Sequence, residues 1–220
     1  MKNIVAAVSR HSYNLRVGVT FQQFEQMKNR VAPKTAARKT AKPQLQTILP
    51  PNRFPEIIIG IDPSLRGTGY GVIRLAKPFP ETLAQGTIAC PAAWEHSRCL
   101  VKIVQTLREV LQKHPATVCA IEGLFFAQNL QTALIMGEAR GAALFAAGEA
   151  GLDIYEISPR KVKQAIVGYG AAQKFAVAKM VQRMLHLPEM PAPDAADALA
   201  LALAHAQGLG GFNFGVMKKI

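Results

Sequence analysis

Acidic side chains are scarce in this chain. Fourteen Asp and Glu stand against 26 Lys and Arg, leaving a net charge of +12 and an isoelectric point near 9.9. That balance favours a polyanionic partner, with nucleic acid ahead of a membrane surface. Cysteine is nearly absent too: Cys90, Cys99 and Cys119 show no C-x-x-C spacing. Neither a disulfide framework nor a zinc site is indicated, and reducing surroundings are expected. Long apolar runs are missing as well. The best candidates, around Ala142 and Ala200, are broken by Glu138, Arg140, Glu149 and His205, so no membrane partner is expected and a soluble compartment is. Half of the 220 residues are nonetheless apolar, enough for one ordinary domain with a real core plus an appendage.

The charge is unevenly spread. Residues 1–55 hold ten Lys or Arg and one acid, Glu25, so +9 of the +12 lies there and the remainder of the chain carries only +3. Between Val31 and Pro51 the leader is rich in Ala, Lys, Thr and Pro, a composition unable to bury enough surface to order itself. Residues 1–55 are therefore expected to form a flexible basic extension. It would serve as an electrostatic tether to nucleic acid or an organellar presequence, or result from a start codon placed too early.

From Glu56 the pattern changes. Apolar runs at Ile57–Asp62, Gly69–Leu75 and Thr82–Cys90, joined by short turns, predict an antiparallel meander. Leu100, Ile103, Val104, Leu107, Val110 and Leu111 then share one stripe of a helix. A short strand, Thr117–Glu122, follows, then an Ala-rich helix from Gln131 to Ala150 with Gly137 and Gly141 on one face, expected to pack on the sheet. Leu152–Ile157 reads as a strand. Ser158-Pro159 has the form of a helix N-cap followed by Pro at the first helical position, with that helix running to about Val167. Gln173–Leu185 and Asp194 to about Ala206 read as two more helices. Together these predict an α/β domain over residues 56–207 with a five-stranded mixed sheet flanked by helices, and a short tail over 208–220.

Within that domain the few acids on otherwise apolar elements stand out. Asp62 and Glu122 end strands; Asp194 and Asp197 sit three apart on the first turn of the last helix, sharing a face near its positive end. A carboxylate at the end of a buried strand should meet a cation, a metal being the first candidate; a strand-terminal Asp capping its own turn is the other reading of Asp62. Four carboxylates brought together would repel unless cations lay between them.

The ordered set GIDPSLRGTGYGVI, IEGLFF, SPRKVKQAIVGYG with Lys174, and PAPDAADALALALAH resembles the RuvC family of Holliday-junction resolvases, enzymes of the RNase H-like fold, over about Ile57–His205. The resemblance implies a structure-selective endonuclease of homologous recombination and DNA repair that cuts four-way DNA junctions in pairs, leaving 5′-phosphate and 3′-hydroxyl ends. It places the catalytic, metal-holding carboxylates at Asp62, Glu122, Asp194 and Asp197, with two Mg²⁺ per active site, Mn²⁺ able to substitute, Asp62 bridging and Glu122 helping to orient the water. It further implies that Phe125 inserts at the junction centre, with Phe126 a rival for that role, and that Lys163 and Lys174 lie near the scissile phosphate. Arg66 and Thr68 of the first turn could touch backbone phosphate. By the same resemblance the chain would act as a homodimer with RuvA and RuvB as partners. It would be cytoplasmic and nucleoid-associated in a bacterium, or organellar if the leader is a presequence. Two surfaces are suspected of dimerising, the Leu100–Leu111 stripe and the small-residue face around Gly137, each with core packing as its alternative.

The chain departs from the family pattern in the first turn, where Ser64 replaces a Gly and Leu65 a polar residue, and at Gly123, where Gln is common after the glutamate. Three other readings compete. Asp62 before a Gly- and Thr-containing turn also opens the actin-like and sugar-kinase fold, but 220 residues hold no second copy of that motif. A non-catalytic junction binder would gain nothing from four acids in its cleft. An RNase H-like nuclease acting on structured RNA remains the runner-up.

Overall fold

The computed structural model describes residues 56–123, 129–209 and 217–220. The strands are β1 (Ile57–Asp62), β2 (Gly67–Arg74), β3 (Glu81–Ala89), β4 (Val118–Glu122), β5 (Asp153–Ile157) and β6 (Lys218–Lys219). The helices are α1 (His96–Lys113), α2 (Leu130–Glu149), α3 (Pro159–Val167), α4 (Lys174–Met184) and α5 (Pro193–Leu209). They form one mixed sheet in the order β3-β2-β1-β4-β5-β6, with β1, β4 and β5 parallel at its centre and β2, β3 and β6 antiparallel. The sixth strand is an addition to the five expected. Two residues of a Gly-rich tail carry no readable period, and only pairing with Tyr155 and Glu156 makes them a strand.

Each face of the sheet has its own core. Ile59 and Ile61 of β1 and Cys119 and Ile121 of β4 pack with Ile103 and Leu107 of α1 and Ala139 and Ala143 of α2. On the other face Ile58, Val118 and Ala120 pack with Val162 of α3, Val177 of α4 and Leu199 and Leu203 of α5. Side chains alternate along a strand, so Ile58, Gly60 and Asp62 share the α5 face, as do Val118, Ala120 and Glu122. The expected Leu100–Leu111 stripe is core: Ile103, Leu107, Val110 and Leu111 are buried, which removes it as a candidate interface.

Helix α5 lies unusually close to the sheet because glycines remove the side chains beneath it. A Cβ added at Gly60 would stand 1.9 Å from the Ala198 carbonyl oxygen, and one at Gly69 would stand 2.0 Å from that of Asp194. Backbone rides on backbone there, and this seats the acidic first turn of α5 beside the ends of β1 and β4.

The Ala-rich helix α2 overturns one expectation. Its buried stripe is Ala139, Arg140, Ala143, Ala146 and Ala147. Gly137 and Gly141 point away from the sheet, with nothing within 4 Å of a Cβ added at either. A helix apolar nearly all round gives no signal of which side it buries. Cys90, Cys99 and Cys119 are all buried with free thiols. Among the described residues no helix is long and apolar enough to cross a membrane.

Candidate active site

The β1–β4 register fixes the first two acids. Ile61 lies opposite Ile121, so Asp62 and Glu122 follow as neighbours at adjacent parallel strand ends, on the α5 face. Their side chains are hydrogen-bonded. Burial, then the charge of Asp62, pushes the Glu122 carboxyl up to about 8, and burial raises Asp62 as well. At neutral pH the pair therefore keeps a proton that two exposed carboxylates would have lost.

Asp197 joins them across a cleft of about 190 Å³ whose walls include Asp62, Glu122, Lys163, Lys174 and Asp197. Lys174 Nζ donates to Asp197 Oδ2 at 2.8 Å. Asp197 and the other two acids raise the pKa of the Lys174 ammonium. Asp194, one turn earlier on α5, lies over β2, its Oδ2 3.1 Å from where a Cβ of Gly67 would stand, and its charge contributes to raising Asp62. Both α5 acids lie at the positive end of the helix.

The donor set suits a hard divalent cation. It is all oxygen, lies on three rigid elements, and burial, with the carboxylates' mutual repulsion, holds a proton on its innermost pair. Among the described residues no three Asp, Glu, His or Cys side chains are grouped closely enough to hold one metal ion between them.

The first turn is built differently from the sequence expectation. Thr68 is fully buried; its hydroxyl donates to the Ser64 carbonyl at 2.6 Å and accepts from the Ser64 N–H at 3.2 Å. It clamps the turn after Asp62 and has no surface to offer a phosphate, which corrects its assignment as a DNA contact. Leu65 is buried in the core, which accounts for an apolar residue where a polar one was expected. Arg66 Nη1 donates to the carbonyls of Pro91 at 2.7 Å and Trp94 at 2.9 Å, so this arginine braces the β3–α1 connection. Phe125 and Phe126 lie outside the described residues.

Arg140 was missed. It is buried on α2, where Nη1 donates to the Glu122 carbonyl and Nη2 to Glu156 Oε2, each at 2.5 Å. It therefore ties α2 to the strand end carrying Glu122. The available signal was one cation inside an otherwise Ala-rich helix, with a partner acid in the strand ending at Ile157. Arg140→Met is expected to destabilise the fold by about 2–3 kcal/mol, because it leaves a partly buried carboxylate unpaired and a carbonyl unsatisfied. Combining it with Glu156→Gln should restore part of that loss. Urea unfolding of both variants checks this, and equal losses would mean that the pair is not coupled.

Comparison with known proteins places the chain among named relatives. The family model described as Crossover junction endodeoxyribonuclease RuvC matches residues 58–205. The protein of that name from Akkermansia muciniphila is 45% identical over 148 residues, 67% of this chain and 89% of that protein. The one from Citrifermentans bemidjiense is 42% identical over 154 residues, 70% of this chain and 94% of that protein. Among solved structures, Thermus thermophilus RuvC in complex with a Holliday junction substrate superposes with a TM-score of 0.68 at 34% identity, covering 75% of this chain and 99% of that one.

Proposed function

This chain belongs to the crossover junction endodeoxyribonuclease RuvC family, and from that premise we propose how its residues carry out the reaction. The protein is a metal-dependent nuclease acting as a Holliday-junction resolvase. What supports the residue assignment is the meeting of Asp62, Glu122 and Asp197 in one cleft with Lys163 and Lys174.

Asp62, Glu122, Asp194 and Asp197 are the metal-holding catalytic acids, with two Mg²⁺ per site and Mn²⁺ as a substitute. When bound, such cations stabilise charge on the attacking and leaving oxygens of an in-line displacement at phosphorus. Asp62 spans the centre of the site. Glu122, whose carboxyl binds a proton at neutral pH, orients the attacking water. Lys163 and Lys174 hold the non-bridging phosphate oxygens, and Lys174 also keeps Asp197 in place. Arg66, an exposed residue, contacts backbone phosphate, and Phe125 stacks at the junction centre. Residues 1–55 add a basic tether.

The working unit is a homodimer. On α2, Leu130, Leu134, Gly137, Gly141, Phe145 and Gly148 fall on one stripe at spacings of three and four, all of it exposed. Such a stripe of large apolar side chains and glycines lets a second copy of the helix approach closely and buries three exposed apolar groups at once. RuvA and RuvB are the proposed partners in the wider assembly, in a bacterial cytoplasm.

Incubating the protein with a synthetic four-way junction, a linear duplex and an RNA hairpin, with and without Mg²⁺, tests this reading. Paired nicks confined to the junction and dependent on the metal are expected; cutting of the hairpin alone would move the enzyme to RNA processing. The raised Glu122 carboxyl adds a pH dependence. A cation must displace its proton, so the half-saturating Mg²⁺ concentration should fall as pH rises towards about 8, by about tenfold per unit, and level off above. Cleavage rates against Mg²⁺ concentration from pH 6.5 to 9 check this. A constant requirement would remove Glu122 from the metal site.

A further inference from the structure

Beside the carboxylate cleft lies a second hollow, of about 450 Å³, and the two share a wall: Lys174 and Asp197 line both. The rest of its lining is apolar, including Phe175 and Ala178 of α4, Met190 and Pro191 of the connection that follows, and Ala196 of α5. Phe175 is 63% exposed and Met190 45%. A single exposed Phe is ordinary, but one set in a concave apolar hollow against a phosphate-handling site is not. The surroundings are strongly cationic: residues 159–184 carry Arg160, Lys161, Lys163, Lys174, Lys179 and Arg183 and no acid.

A nucleotide has two chemically distinct ends, an anionic phosphate and a flat base with apolar faces. The Lys174 ammonium stands between a cleft suited to the first and a hollow suited to the second. We propose that this hollow takes the unstacked base of the nucleotide adjoining the scissile phosphate, with Phe175 as its stacking face and Met190 as the opposite wall. The inference rests on the junction-cutting reading above and deepens it. Base pairs at a strand crossover are already disturbed, which lowers the cost of unstacking one. The hollow's walls are mostly carbon, so it responds to the flat face of the base more than to its hydrogen-bonding edge.

The test uses four-way junctions carrying a single abasic site, placed in turn at each nucleotide flanking the cut. At one position the abasic site should lower kcat/KM of the wild type by about tenfold, the effect of losing one stacked base. Phe175→Ala should lower kcat/KM on the intact junction by a similar factor, yet cause no further loss on that abasic junction. Phe175→Trp should keep the wild-type rate and Phe175→Leu should not, and the Mg²⁺ requirement of all three should match the wild type. Phe175 is exposed, so none of these variants threatens the core. Losses that multiply at every position, or a Phe175→Ala enzyme as fast as the wild type, would overturn the proposal while leaving junction cleavage standing. A wild type that leaves every junction uncut would overturn both.

Discussion

Asp62→Asn is expected to abolish junction cleavage, lowering the single-turnover rate by at least about 10³-fold, while junction binding persists or tightens. The substitution keeps the volume and removes one negative charge from the buried pair with Glu122. It therefore takes away the proposed metal ligand at the centre of the cleft and also the chief neighbouring charge that holds the Glu122 carboxyl high. Binding should survive because it depends on cations facing phosphate, and one fewer carboxylate in their midst reduces repulsion. A gel-shift assay run beside the cleavage assay separates the two effects. Loss of both together, with an unchanged thermal midpoint, would show that Asp62 serves binding instead of chemistry.

Gly60→Ala should have the largest effect on the fold. The added methyl would meet the Ala198 carbonyl oxygen at 1.9 Å and the Ala202 amide nitrogen at 2.9 Å, both backbone atoms that no rotamer change can move. Helix α5 must lift from β1, at a cost of about 1–3 kcal/mol or more, which corresponds to a fall in Tm of roughly 2–12 °C for a domain this size. Because Asp197 travels with that helix, cleavage should fall further than the remaining folded fraction explains. Gly137→Ala is the counterpart. Within one copy nothing lies within 4 Å of the added methyl, so it should raise the stability of the protomer by about 0.5–1 kcal/mol, while weakening the proposed homodimer, whose close helix approach it obstructs. Thermal melts of the two variants, with cleavage rates measured well below Tm, check the contrast.

Much of this was legible beforehand. Strand β1 and helix α3 fall where expected, because an apolar run closed by Asp62 and a Ser-Pro cap are local signals; Ser158 indeed accepts from the Lys161 N–H. The acids were visible because a carboxylate is out of place at the end of a buried strand. Three features were not legible, each for a physical reason. The hydroxyl of Thr68 looks like any polar group in a Gly-containing turn, and only the fold reveals that it is spent on Ser64. Arg140 and Glu156 are 16 residues apart on different elements, and a pair of that kind leaves no periodic trace. The hollow beside Lys174 depends on how α4 meets the Pro-rich connection before α5, which periodicity within a helix does not report.

The smallest strand has a consequence beyond the count of strands. A central sheet that ended at β5 would present a row of open amide and carbonyl groups to any passing chain, an invitation to strand addition and fibrous stacking. Lys218 and Lys219 close part of that row, Ile220 donates its N–H to the Ile154 carbonyl, and the Lys219 ammonium lies 2.7 Å from Asp153. With Lys219 paired to Asp153, the Lys218 ammonium is the charge that this short border presents to another copy's sheet. The β5 border of the sheet is thereby guarded against pairing with the sheet of another copy, and β3 is left as the long edge.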